Sequence, residues 1–166
     1  DKKLMATMQI LDKLGALCII SASPLFPLVA FRSLELTLKH GLCETSPPAF
    51  ALVGMLLVAV SADLQGGAVY ANHALSLMQR LPNHEATEAR TMFLSHFFVL
   101  PWTQPLTCMV KPLLRAYEVG LMTGDIDSAV YAIGTYVTIA IIAGRPLEGL
   151  LDDCRVYFGQ MRQLGR

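Results

Sequence analysis

The stretch LTCMVKPLLRAYEVGLMTGDIDSAVYAI, residues 106–133, decides how this chain folds. Leu106, Met109, Val110, Leu113, Leu114, Tyr117 and Leu121 recur at steps of three and four, while Lys111, Arg115 and Glu118 fall between them. That spacing gathers the apolar side chains on one stripe of an α-helix and leaves the charges on the other. Gly124-Asp125 then interrupts the stripe. Glycine accepts the left-handed backbone that ends a helix, and aspartate caps or charges the start of the next one. Ala129 follows Gly124 by five residues, small enough to let the second helix approach the first. The segment therefore reads as a tight helical hairpin.

Moving outward, a second stretch has the same elements. Ala59, Gly66 and Ala71 stand in the same order as Tyr117, Gly124 and Ala129, and Gly66 also precedes its alanine by five residues. Glycine at a helix-to-helix turn followed by a close-approach alanine is the core spacing of a tetratricopeptide hairpin. The two glycines are further apart than the roughly 34 residues of a regular array, and other consensus positions are missing. The expectation is an irregular tetratricopeptide-like repeat, with Ala71 and Ala129 at the close contacts.

The rest of the chain extends this pattern. Tyr70, Ala71, Ala74, Leu75, Met78 and Leu81 form one more stripe, and Leu147, Leu150, Leu151, Cys154, Phe158 and Met161 another. Breakers at Gly41, Ser46-Pro47, Gly66-Gly67, Pro82-Asn83, 101–105, Gly124-Asp125 and 144–146 divide the sequence. Ser46 reads as an N-cap followed by a proline in the first turn, and Pro112 as a kink or the true start of its helix. The expected helices are 2–21, 24–40, 47–63, 67–81, 84–99, 104–123, 126–143 and 146–164. Short loops make consecutive helices antiparallel. No stretch sustains the alternation of a strand. The chain reads as all-α: an irregular tetratricopeptide-like α-solenoid of about eight antiparallel helices, with 1–166 a single helical-repeat domain cut from a larger multidomain chain.

Composition excludes several function classes. The chain has 13 Lys+Arg and 13 Asp+Glu among 166 residues, so it lacks the basic excess of a nucleic-acid-binding surface. With 54% hydrophobic and 16% charged residues, it is not an intrinsically disordered sequence. Stretches 14–31, 45–62, 91–110 and 128–144 carry no charge. A membrane span needs about 20 mostly apolar residues, and prolines, serines, threonines or His96 interrupt each stretch. Lys and Arg do not bracket them asymmetrically. Buried helices are the simpler reading, and Cys18, Cys43, Cys108 and Cys154 read as reduced thiols of a cytoplasmic protein.

Chemical motifs are sparse. No G-x-x-x-x-G-K-[ST] phosphate loop, kinase signature or G-x-S-x-G elbow occurs. His84-Glu85-Ala86-Thr87-Glu88 has glutamate where a zinc helix needs its second histidine, so an acidic first helical turn explains it better. His40, His73 and His96 have no neighbours at ligand spacing. Asp125 and Asp127 lack the further oxygens of a calcium loop and suit capping of the following helix. Adjacent Asp152 and Asp153 point roughly 100° apart on a helix, which suits a solvated face. Cys43, three residues after His40, has no orienting third partner and reads as a small buried thiol. Phe93, Phe97, Phe98 and Trp102 follow helical spacing; where exposed, they are the candidate surface for a partner helix or peptide.

The segments GLCETSPPAFALVGMLL (41–57), PLLRAYEVGLMTGDIDSAVYAI (112–133) and AGRPLEGLLDDCRVYFGQM (143–161) resemble a helical region of very large signalling proteins. The opening residues 6–41 resemble the helices preceding it. Those proteins join a serine/threonine-kinase-like domain, an AAA/STAND-type ATPase, this region, a GAF domain and often a histidine kinase. One departure is that the family usually has a Gly-Asp turn after the third helix, and here it reads Ala62-Asp63-Leu64-Gln65-Gly66. The resemblance implies a non-catalytic scaffold that couples neighbouring domains or binds a protein partner, with ATP used elsewhere in the parent. It implies no catalytic residue, metal ligand or cofactor-binding residue in this segment. A compact helical ligand-binding sensor domain is the alternative from the residues alone, and a membrane-embedded helical protein the more remote one.

Overall fold

A computed structural model describes residues 2–82 and 84–163. Asn83 of the expected turn and Leu164 at the expected end of the last helix lie outside them. Eight α-helices account for nearly all of the described chain: α1 (Lys2–Ile20), α2 (Phe26–His40), α3 (Ser46–Ser61), α4 (Leu64–Arg80), α5 (Glu85–Phe93), α6 (Thr107–Thr123), α7 (Ile126–Ile142) and α8 (Leu147–Gln163). They pack mostly antiparallel. Every expected helix has its counterpart.

The most extensive pairings are α3 with α4 and α6 with α7. Both hairpins close on small residues. Ala71 and Ala129 are fully buried. A Cβ on Gly120 of α6 would lie 2.8 Å from the Ala129 Cβ, so bare backbone on one helix faces a single methyl on the other. Gly54 and Gly67 do the same for α3 and α4, where a Cβ on either would sit 3.0 Å from the other's carbonyl oxygen.

The register of the first hairpin differs from the sequence expectation. Gly66 lies inside the first turn of α4 and not at the turn, and Ala59 is exposed. The left-handed position is taken by Ala62 (φ 53°), matching Gly124 (φ 80°), and Asp63 and Asp125 are the equivalent N-caps. Gly67 therefore occupies the place of Ala129. The Asp63 carboxylate accepts a hydrogen bond from the Gly66 N–H at 2.8 Å, which draws Gly66 into the helix. The Gly66 signal was real, but it belongs to an N-cap.

Other local expectations also change. The expected helix 84–99 is α-helical only to Phe93; Leu94–Val99 forms a π turn and Leu100–Trp102 a 3₁₀ turn. Pro101 has no N–H to continue the helix, and the Trp102 indole N–H donates to the Phe98 carbonyl at 3.1 Å. Pro112 lies within α6, not at its start. The Ser46 hydroxyl does not cap α3; it accepts from the Cys43 N–H at 2.9 Å and pairs with the Thr37 hydroxyl at 3.2 Å. It ties the α2–α3 turn to α2.

The odd-numbered helices also meet one another, α1 with α3, α3 with α5 and α5 with α7. Among the even-numbered helices, α6 and α8 meet through side chains, with Tyr117 edge-on to Tyr157 at 5.2 Å. The deepest side chains, among them Leu94, Leu100, Met109, Leu113, Ile133 and Tyr136, fill the interior between these sets. At the far end α8 packs Leu150, Cys154, Tyr157 and Met161 against the core and adds polar ties. The Tyr136 hydroxyl donates to Asp153 at 2.5 Å and accepts from Arg145, while Tyr117 donates to Gln160 at 2.5 Å. Burial, reinforced by the Asp153 carboxylate, pushes the Tyr136 phenol up to about 12, so it remains a donor.

Candidate functional site

The odd-numbered helices line one groove of about 560 Å³. Leu17 and Ile20 of α1 form one wall, Leu52 of α3 contributes to the lining, and Phe97 and Tyr131 stand across from α1. The π turn shapes the aromatic side. Phe93 stacks on Phe97 (5.9 Å between ring centres) and on Tyr131 of α7 (5.9 Å), and meets Phe98 edge-on at 5.6 Å. Edge-to-face and offset pairs at these distances are attractive beyond their burial.

A charged clasp borders the groove. Arg90 of α5 donates to Asp12 of α1 and, at 3.1 and 3.2 Å, to both oxygens of Asp125 in the α6–α7 turn. Asp12, Arg90 and Asp125 are all about nine-tenths buried. Burial pushes the Asp12 carboxyl above its ordinary range, against the pull of the Arg90 charge. Burial lowers Arg90, but its two carboxylates more than offset this and hold it charged. One Asp12 oxygen, Oδ1, has no hydrogen-bond partner. Asp12 falls on the inward stripe of α1 beside Met8 and Gly15, a charge at a core position. That anomaly was the sequence signal for the clasp; nothing local pointed to Arg90, 78 residues away.

Phe93, Phe97 and Phe98 come together at the groove. Trp102 does not line it; the ring stands 61% exposed on the 3₁₀ turn. Tyr117, Gly124, Asp125 and Ala129 form the second hairpin, and Ala71 packs in the first. Asp125 occupies the N-cap position of α7, yet its carboxylate serves Arg90 instead of the helix end. Asp127 lies on the groove rim. His84 reaches Glu88 at 3.6 Å, and Glu88 accepts from Arg115 at 3.3 Å. Among the described residues no group of three or more His, Cys, Asp or Glu side chains gathers as a metal site would require. Cys43 contacts the hydroxyls of Thr45 and Ser46, and all four cysteines are free thiols. No described helix is long and apolar enough to cross a membrane.

Together the fold and the groove define an all-α helical stack with an aromatic-walled groove. Over 137 residues the chain is 23% identical to hybrid signal transduction histidine kinase G of Dictyostelium discoideum. The match covers 82% of this chain and 4% of that protein. The segment is thus distantly related to a region of a signalling histidine kinase. No family model matches the chain. No solved structure matches it either.

Proposed function

We propose that this segment is a non-catalytic, cytoplasmic helical-repeat scaffold, of irregular tetratricopeptide-like type, within a large ATP-using signalling protein. Its groove receives an amphipathic segment from a neighbouring domain or a protein partner and so couples domains. The convergence of α1, α3, α5 and α7 on one aromatic-walled groove carries this reading. An alternating stack concentrates its odd helices on a single wall, where extended binding surfaces of repeat proteins form. Phe93, Phe97 and Tyr131 supply apolar anchors, while Lys13 at the rim offers a charge to fix an orientation. The distant relation to a signalling histidine kinase supports the parent context, and ATP would be handled by other domains.

The experiment is site-specific photo-crosslinking from position 131 in the natural polypeptide, with position 69 on the exposed side of α4 as control. Adducts to one defined protein segment, formed from 131 and not from 69, would support the scaffold reading. Equal, scattered adducts from both positions would refute it. The groove volume also suits a small apolar ligand, since such pockets span about 300–1,000 Å³. That sensor reading would be favoured if native mass spectrometry of the purified protein showed a bound small molecule that a Tyr131→Ala change releases.

A further inference from the structure

Exposed large apolar side chains are not spread evenly over this molecule. They concentrate at its two ends. On α2, Leu28, Phe31 and Leu38 stand more than half exposed along one outer stripe, and Ile10 of α1 is exposed as well. That α2 stripe forms an open groove of about 400 Å³, with the Arg32–Glu35 ion pair (2.7 Å) along it. At the other end, Leu147, Leu151 and Phe158 form a second stripe on α8, next to the face that Leu150, Tyr157 and Met161 pack inward. Ile141 and Ile142 at the end of α7 extend it. Between these ends, exposed apolar residues such as Val60, Val69 and Met122 occur singly, one to a helix.

We infer that both end faces are covered, in the natural polypeptide, by further amphipathic helices that continue this stack in each direction. Three observations favour that occupant. Solenoids close their free ends with polar outer faces, whereas contiguous apolar stripes run through both end faces here. Each face lies where the next step of the existing packing would land: a further odd-side helix would meet α8 and the end of α7, as α7 meets α6 and α5. The matched stretch of the amoebal histidine kinase is only 4% of that protein, which leaves room for such helices outside it. Single apolar residues on a surface need no explanation, but contiguous stripes of this kind mark an interface. The inference rests on the stacked arrangement and not on the groove's occupant.

Thiol labelling tests it. Phe31→Cys and Leu151→Cys would be made in the 166-residue chain and in the natural full-length polypeptide, with exposed Cys108 as the fast internal reference and buried Cys18 as the slow one. Both new thiols should react as fast as Cys108 in the 166-residue chain. In the full-length protein they should slow by at least about tenfold, the protection expected of a packed helix face. Equal fast rates in both settings would overturn the inference. Slow rates in the 166-residue chain, with light scattering showing a dimer, would also overturn it, because a second copy would then be the occupant. If either variant lost helical circular dichroism, Leu28→Cys and Leu147→Cys on the same stripes would replace it. Groove crosslinking from position 131 is unaffected by the result, so the two readings fail separately.

Discussion

Replacing Gly120 with alanine should destabilise the protein although alanine is the better helix former. The added Cβ would lie 2.8 Å from the Ala129 Cβ, 2.9 Å from the Asp125 carbonyl oxygen and 3.1 Å from the Ala129 nitrogen. None of these atoms can rotate aside. To regain ordinary carbon–carbon separation of about 3.5 Å, α7 must retreat from α6 by roughly 0.7 Å. Overpacking of this kind costs about 1–3 kcal/mol, and the helix-propensity gain returns about 1 kcal/mol. The net loss should lie between about 0 and 2 kcal/mol, which lowers the melting temperature by up to about 8 °C for a chain of this length. Gly134 on the exposed side of α7 is the control, because nothing lies within 4 Å of its would-be Cβ. There the propensity gain acts alone, and Gly134→Ala should raise the melting temperature by about 2–4 °C. Adding Ala129→Gly to Gly120→Ala should recover part of the loss. Calorimetric melting of the variants at one pH settles the matter. Shifts of the same sign and size for Gly120→Ala and Gly134→Ala would refute the close-packed hairpin.

Two further outcomes are expected. His96 is buried with Nδ1 2.9 Å from the Met92 carbonyl oxygen, and burial lowers its imidazole below the ordinary 6.5. The unfolded chain takes up that proton first, so stability should fall as pH drops from about 6.5 toward the folded value, by at most about 1.4 kcal/mol per pH unit. His96→Gln should flatten that slope in urea titrations, and an unchanged slope would discount the imidazole. Titration of Mg-ATP into the 166-residue chain should give no saturable heat, because no phosphate-binding loop is present; binding near micromolar affinity would contradict the non-catalytic reading.

The helices were legible because their stripes are local. A repeat at steps of three and four reports burial on one face without reference to any other part of the chain. Ala129 was legible for the same reason, since it sits five residues after the Gly124 of its own turn; Ala71 is buried too, but lies eight residues past Asp63, and Gly67 takes the matching place. The first turn was misplaced because glycine is the loudest turn signal, and Gly66 outweighed Ala62, an alanine in left-handed backbone at a cost of about 1 kcal/mol. The π turn at Leu94–Val99 depends on hydrogen bonds five residues apart, which no periodicity count distinguishes over one turn. The groove was half legible. Its aromatic wall showed as Phe93, Phe97 and Phe98, but Leu17, Ile20, Tyr131 and the Arg90 clasp arrive from distant segments. Trp102 shared the aromatic spacing and was carried outward by the 3₁₀ turn that Pro101 imposes.

The convergence of the odd-numbered helices on one groove is tested most directly by a double-mutant cycle between Asp12 and Arg90. These residues lie on α1 and α5, and only the stacked arrangement brings them into contact. Urea unfolding of the parent, Asp12→Asn, Arg90→Met and the double variant gives the coupling energy. Residues in direct, buried contact couple by about 0.5–3 kcal/mol, and a value above about 1 kcal/mol is expected for this pair. Additive effects, with coupling indistinguishable from zero, would mean that α1 does not close over α5 and that the groove does not exist as described.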